Sequence, residues 1–80
     1  MEISVLTFGV VREIAGAQAI AIEIGEEMTV AVLRREMTAS YPRIGELRSF
    51  AIAINGAYAA DADVIHAGDE VAVIPPVSGG

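Results

Sequence analysis

The sequence predicts an α+β domain in which one main helix packs across one face of a mixed sheet. Two short segments of alternating hydrophobicity come first, one amphipathic helical segment follows, and further short strands end the chain. The dipeptide Asn55-Gly56, between two apolar segments, is a strong hairpin signal. Two hairpins separated by one helix favour this architecture, with residues 1–80 in a single domain and a flexible tail over 75–80.

The first predicted hairpin lies in the amino-terminal third of the chain. Residues Glu2 to Phe8 alternate, and because apolar side chains occur on both faces, we predict a strand largely buried on both faces. The pattern breaks at Arg12 to Gly16, where we predict a short polar turn. A second strand is predicted from about Ala19 to Ile24, close enough to pair with the first.

The main helix is predicted to begin after Thr29, which can serve as its N-cap. Met28 and Leu33 then occupy the positions of a hydrophobic staple, and apolar residues recur at helical spacing. We predict that the helix ends near Ser40, because the residue before Pro42 is biased out of the helical region.

The carboxy-terminal half reads as three short strands and one loop. Phe50 to Ile54 alternates as a third strand, and Ala57 to Ala59 is its predicted return strand. A polar loop from Asp61 to Glu70 follows, and Val71 to Ile74 is a last strand that leads directly into the tail.

Composition excludes several classes of function. The chain has 11 acidic residues and 5 basic ones, a formal charge of −6, so its field repels nucleic acid and anionic lipid and favours a basic partner surface. It lacks cysteine, and all its basic residues are arginine, which excludes a thiol nucleophile, a disulfide and a side-chain amine. No apolar run approaches the roughly 18 residues of a membrane span, so we expect a soluble cytoplasmic protein.

The carboxy-terminal residues carry the strongest functional signal. Gly79-Gly80 ends the chain, and glycine can thread a channel too narrow for other residues. Pro75-Pro76 stiffens the approach, so the tail can present the Gly80 carboxylate to another protein's active site. The alternative is a frayed terminus without a role.

Neither the single histidine nor the acidic loop has the pattern of a metal site. His66 lacks a cysteine or second histidine and is expected to be a solvated loop residue. Asp61, Asp63, Asp69 and Glu70 lack the spacing of a calcium-binding EF-hand. We therefore predict an exposed acidic loop and no metal.

Some residues near the sheet face and the tail are candidates for partner contact. Phe8 is either a core residue or part of an apolar patch on the open sheet face. Arg12 and Glu13 form either a local charge pair or a partner contact. Ile74 and Val77 lie nearest the tail and are expected to become buried on binding.

The chain resembles the MoaD family, the small subunit of molybdopterin synthase. The resemblance rests on Phe8, on Arg12-Glu13 followed by Gly16, and above all on the closing block from Gly68 to Gly80. That block combines a Gly-Asp-Glu turn, a short apolar strand, Pro-Pro and a terminal Gly-Gly. The resemblance covers both ends of the chain and implies a β-grasp, ubiquitin-like fold.

The resemblance also implies a sulfur-carrier cycle. An E1-like enzyme would use ATP and magnesium to adenylate the carboxylate of Gly80, and sulfur from a persulfide donor would convert it to a thiocarboxylate. A MoaE-like large subunit, in a heterotetramer, would use that sulfur on cyclic pyranopterin monophosphate, so this chain would be a non-catalytic subunit. The reactive end would be Gly79 and Gly80. The residues implied in partner binding are Phe8, Arg12, Ile74, Pro75, Pro76, Val77 and Ser78.

Three other functions remain open from the sequence. A carrier of the same fold could serve another pathway, such as the thiazole-forming ThiS pathway, because fold alone does not separate them. A ubiquitin-like modifier would use the same tail to form isopeptide bonds with lysines of target proteins. A plain interaction module would have an inert tail.

Overall fold

The computed structural model describes residues 2–25, 28–47 and 49–75. Within them the chain forms five strands and three helices. In chain order these elements are β1 (Glu2–Thr7), α1 (Gly9–Ala15), β2 (Ala19–Glu23), α2 (Val30–Ser40), α3 (Pro42–Gly45), β3 (Ala51–Ile54), β4 (Ala57–Tyr58) and β5 (Val71–Ile74). No helix in these three ranges is long and apolar enough to span a bilayer.

The strands form one mixed sheet in the order β2-β1-β5-β3-β4. β1 and β2 pair antiparallel, as the sequence predicted, with Val5 opposite Ile20. The first and last strands pair parallel at the centre, with Val5 opposite Val71, and β3 pairs antiparallel with both β5 and β4. The predicted α+β class is confirmed, and the strand that leads into the tail lies at the centre of the sheet.

The helices cover one face of this sheet, which we call the inner face. Its side chains pack with those of the helices into one core that includes Val5, Val73, Ile52 and Leu33, all without exposed surface. The prediction that β1 is buried on both faces is wrong. Alternate residues of β1 are exposed or half-buried, because no helix among the described residues covers the opposite, outer face.

The turn predicted at Arg12 to Gly16 is wrong, because these residues lie mostly in helix α1. A narrow apolar stripe explains the helix: Val11 is fully buried, and Ile14 packs against the core. Arg12 and Glu13 interrupt the apolar residues of this short helix and Val10 is exposed, which is why its sequence reads as a turn. It ends at Gly16, whose φ of 72° suits glycine and whose N–H donates to the Arg12 carbonyl at 2.8 Å.

The predicted start and end of the main helix are confirmed. The Thr29 hydroxyl accepts a hydrogen bond from the N–H of Val32 at 3.4 Å, and both predicted staple residues, Met28 and Leu33, are buried. The helix ends at Ser40. A short helix not predicted from the sequence, α3, follows at once, because a proline suits the first helical turn and the next apolar residue is fully buried.

The Asn55-Gly56 hairpin is confirmed. Both residues have positive φ, 51° and 84°, as a type I′ turn requires. The return strand is one residue shorter than predicted, although the N–H of Ala59 still donates to the Ile52 carbonyl at 2.9 Å, in register with the hairpin. The following loop is polar, but it also anchors to the core through Ile65, which is 1% exposed.

Arg34 of α2 ties this helix to the start of β3. Its Nη1 donates to the Phe50 carbonyl at 2.7 Å, and its guanidinium lies 4.8 Å from the centre of the Phe50 ring. Its Nε lies 3.0 Å from an oxygen of Asp61, an ion pair without the alignment of a hydrogen bond. The pair with Phe50 is therefore a structural contact on the helical side of the domain.

Candidate functional site

The predicted reactive end lies beyond the described residues. This applies to Pro76, Val77, Ser78, Gly79 and Gly80. The last described residue is Pro75, which is half-buried and directly follows β5. The candidate site that the structure shows is therefore the sheet surface from which the tail departs.

A row of small side chains crosses the middle of the outer face. The strand register places Leu6 beside both Ala19 and Ala72, then Ala72 beside Ala53, and Ala53 beside Tyr58. Three of these five residues are alanines, whose methyl groups leave a low floor on the sheet. Larger side chains on either side of that floor make its walls.

These walls define an open groove of about 330 Å³. Besides the alanine floor formed by Ala53 and Ala72, its lining includes Leu6, Phe8, Tyr58 and Ile74. Tyr58 is 77% exposed and Phe8 is 41% exposed, so two aromatic side chains border an apolar depression. Exposed aromatic surface around a concave floor is typical of a protein-binding site.

The structure assigns Phe8 to the outer face. Its backbone is extended, so the ring continues the outward alternation of β1 and lines the groove together with Ile74. The Arg12 guanidinium lies 5.4 Å from the centre of this ring, and its Nη2 donates to the Thr7 carbonyl at 2.7 Å. Arg12 thus contacts Phe8 and the end of β1, and it stands beside the groove. Its role in partner binding remains a prediction.

Charged side chains lie on the outer face and beside the groove. Among the described strands and the residues next to them, three exposed carboxylates lie on the outer face: Glu2, Glu23 and Glu70. Glu70 also lines the groove. Of the four described arginines, Arg34, Arg35 and Arg43 lie in α2 and α3, whereas Arg12 of α1 stands beside Phe8 at the groove. The groove is therefore apolar, with a carboxylate in its lining and a guanidinium beside it, which suits a partner surface with an apolar projection and neighbouring charged residues.

The acidic loop is exposed, as predicted, and its carboxylates stabilise turns. Asp63 accepts the N–H of Ala60 at 2.8 Å, and Asp69 accepts the N–H of His66 at 2.8 Å. The backbone hydrogen bond from His66 and the side-chain hydrogen bond from Asn55 hold the pKa of Asp69 below its ordinary value. Within the described residues, no group of three or more possible ligands is placed to hold a metal ion.

The structure brings together Phe8, Ile74 and Pro75 from the predicted set, and it adds residues that sequence reasoning did not assign to a site. Tyr58 is the main addition. A signal for it existed, because the predicted Asn-Gly turn implies that residues 53 and 58 face each other across the hairpin. The alanine floor had no signal of its own, since alanine is also common in cores and helices.

Comparison with known proteins gives a consistent result across the chain. The ThiS family model matches residues 5–80. The molybdopterin synthase sulfur carrier subunit of Arabidopsis thaliana is 33% identical over 81 residues, covering 100% of this chain and 84% of that protein. The protein of the same name from Chlamydomonas reinhardtii is 35% identical over 83 residues, covering 100% of both chains.

Solved structures resemble the whole fold. A putative molybdopterin converting factor subunit 1 from Pyrococcus furiosus is 28% identical, with a TM-score of 0.86 over 96% of this chain and 99% of that chain. The small archaeal modifier protein 1 of Haloferax volcanii is 25% identical, with a TM-score of 0.85 over 100% of both chains. The same architecture thus occurs in proteins described as a cofactor-synthesis factor and as a protein modifier.

Proposed function

This chain belongs to the ThiS family, and from that membership we propose that it is the sulfur carrier subunit of a molybdopterin synthase. The resemblance to MoaD proteins noted in the sequence is confirmed by relatives that match over the full chain. The β-grasp fold that the resemblance implied is confirmed by the solved structures. The proposal assigns the working role to the carboxylate of Gly80.

The observation that best supports this proposal is the position of β5. This central strand connects the groove to the tail without an intervening loop, since Ile74 lines the groove and Pro75 is the next residue. A partner that binds the groove therefore holds the domain at the point where the tail begins. Docking and delivery of the reactive end then use one side of the molecule.

The proposed chemistry needs no catalytic side chain on this chain. A carboxylate oxygen of Gly80 attacks the α-phosphorus of ATP, an acyl adenylate forms, and pyrophosphate leaves. The terminal sulfur of a donor persulfide then attacks the acyl carbon and AMP leaves, forming an acyl disulfide. A thiol of the donor or activating protein cleaves that disulfide, which releases the thiocarboxylate and leaves a protein disulfide. Glycine at both terminal positions keeps the acyl carbon unhindered.

The partners follow from these steps. We propose an E1-like adenylating enzyme that uses ATP and magnesium, a sulfur donor such as a cysteine desulfurase or a rhodanese-like protein, and a MoaE-like large subunit that holds the active site. The Glu70 carboxylate in the groove lining and the net charge of −6 favour partner surfaces with basic residues beside an apolar projection. We propose the heterotetramer for the complex with the large subunit.

A protein modifier is the second candidate function. It is favoured by the likeness to the small archaeal modifier protein of Haloferax volcanii over the whole of both chains. The two functions share activation of the carboxy terminus and differ in the nucleophile that follows. A sulfur nucleophile makes a carrier, whereas a lysine amine of a target protein makes an isopeptide bond. A sulfur carrier for another pathway, such as thiazole formation, would share the sulfur step and differ in the acceptor.

The intact mass of the protein tests this proposal. The chain is incubated with its host's E1-like enzyme, Mg-ATP and a sulfur donor, and then with the large subunit and cyclic pyranopterin monophosphate. We expect a gain equal to the difference between one sulfur and one oxygen atom, and its loss on addition of the pterin. A chain shortened to end at Ser78 is the control and should gain nothing.

Each other outcome of this experiment points to a different function. A gain that persists after the pterin is added would place the carrier in another pathway. Absence of any gain, together with isopeptide bonds between Gly80 and lysines of other proteins, would replace the carrier by the modifier.

A further inference from the structure

Gly9, the first residue of α1, approaches the last described residue of the chain unusually closely. A Cβ built on Gly9 would lie 3.1 Å from Cγ of Pro75, closer than carbon atoms of this kind normally come. Gly9 also has a φ of +51°, a conformation that residues with a Cβ rarely adopt. The turn between β1 and α1 therefore accepts the proline ring because residue 9 has no side chain.

The hydrogen bonds of the same turn compensate for the backbone N–H that Pro75 lacks. The N–H of Thr7 donates to the Gln18 carbonyl, on the side of β1 that faces β2. Because successive residues of an extended chain alternate in direction, the N–H and carbonyl of Phe8 point toward β5. Continuing the parallel ladder would require an N–H at position 75, which proline lacks. The Phe8 carbonyl instead accepts the N–H groups of Val11 and Arg12, at 3.1 and 3.2 Å. Helix α1 thereby satisfies an acceptor that Pro75 leaves without a partner.

We propose that Gly9 is a positioning residue for the reactive tail. Gly9 provides the space in which the Pro75 ring packs, and this contact sets the point and the direction in which the chain leaves the sheet. The proposal rests on the proposed function, because it supposes that the tail must enter a partner's active site while the groove is bound. Gly9 does not touch the reacting atoms, so its effect is on delivery of the Gly80 carboxylate.

The experiment uses ATP–pyrophosphate exchange catalysed by the activating enzyme, which reports adenylation of the tail. Gly9→Ala is compared with Gly16→Ala, because Gly16 also has positive φ, +72°, yet a Cβ there would meet nothing within 4 Å. Both variants carry the backbone strain, and only the first disturbs Pro75. Circular dichroism shows whether each variant is folded.

We expect Gly9→Ala to lower kcat about tenfold with KM within about twofold, because docking is retained while the tail is misdirected. Gly16→Ala should keep both constants within about twofold of the wild type. Equal constants for the two variants would overturn the proposal. If the wild-type chain supports no exchange at all, the proposed function itself fails, and this outcome is distinct from the first.

Pro75→Ala provides a second test that does not depend on the folding of Gly9→Ala. Removing the ring leaves the space at Gly9 unfilled, so kcat should fall again with KM little changed. The double variant should lose no more than the worse single variant, because both changes disturb the same packing of Pro75 on Gly9. A wild-type kcat for Pro75→Ala, or losses that multiply in the double variant, would contradict the assignment.

Discussion

The two faces of the sheet are built from alternate residues of the same strands, yet their side chains differ in size and burial. On the inner face, Val5, Ile52 and Val73 have no exposed surface. On the outer face, the neighbouring Ala53 and Ala72 are half-buried, and they form a floor between larger side chains. The inner face provides stability because helices cover it, and the outer face is the proposed binding surface because its apolar groove stays open.

The comparison shows that an apolar residue on a strand of this domain belongs either to the buried core or to the open outer face. The strands that line the groove carry apolar residues on both faces, so hydrophobicity alone does not identify the core. The position of the helices does: they bury the aliphatic residues of the inner face, while the alanines of the outer face stay open between Leu6, Ile74 and aromatic side chains. The following substitutions test this division.

Shortening a side chain should lower the free energy of unfolding more in the helix-covered core than on the outer face. Leu33→Ala should lower the free energy of unfolding by about 2–5 kcal/mol, because Leu33 is fully buried. Leu6→Ala, which shortens a half-buried leucine of the groove, should cost less than about 1.5 kcal/mol. Urea unfolding followed by circular dichroism measures both. Equal losses would show that the outer face is as much a part of the core as the inner face.

Filling the groove should weaken partner binding without unfolding the domain. Ala72→Leu places a larger side chain on the floor, where it occupies space for a partner's apolar side chain. We expect affinity for the MoaE-like subunit to fall about tenfold to a hundredfold by calorimetry. Ala39→Leu, on an exposed position of α2, is the matched control and should leave affinity unchanged. Equal affinities for both variants would remove the groove from the interface.

The two arginine–phenylalanine pairs should separate binding from stability. Phe8→Ala should lower partner affinity about tenfold and change stability little, because its ring is 41% exposed beside the groove. Phe50→Ala should lower stability by about 1–3 kcal/mol and leave affinity unchanged, because Phe50 packs against the core and Arg34. Calorimetry and urea unfolding of both variants test the assignment. Reversed effects would exchange the roles of the two rings.

The smallest effect on stability should come from Asp69, which lies in a turn outside both faces of the sheet. The pKa of folded Asp69 lies below its ordinary value of 3.8, so ionised Asp69 contributes stability above 3.8 and loses it as the pH falls through the folded pKa. Asp69→Asn should therefore be less stable than the wild type at about pH 7, and the difference should shrink in acid. Urea midpoints across this range measure it, with Glu13→Gln on α1 as the control. A difference that stays constant with pH would show that Asp69 acts through geometry alone.

Much of the fold could be predicted because its signals are local. The N-cap at Thr29, the helix end before Pro42 and the Asn55-Gly56 turn each depend on neighbouring residues. Helix α1 could not be predicted in this way, because its stability depends on burying Val11 under distant parts of the chain. The burial of β1 was misjudged for the same reason: the pattern does not show which face the helices cover.

The candidate site was predictable only in part. Phe8, Ile74 and Pro75 were named from the closing block and from the outer alternation, and the structure places all three together. Tyr58 and the alanine floor were not named, because they become a site only when β3, β4 and β5 pair in register. The contact between Gly9 and Pro75 joins residues far apart in the chain, and nothing in either segment indicates it.

The sequence by itself determined the α+β class, the main helix, the hairpins, the acidic character and the terminal Gly-Gly with its Pro-Pro approach. These features follow from composition, periodicity and local turn chemistry, which act between residues close together in the chain. Only the tertiary structure decided which sheet face is open, where the groove lies and how Pro75 packs against the β1–α1 turn. Those features depend on strand order and register, which bring the first and last strands together at the centre of the sheet.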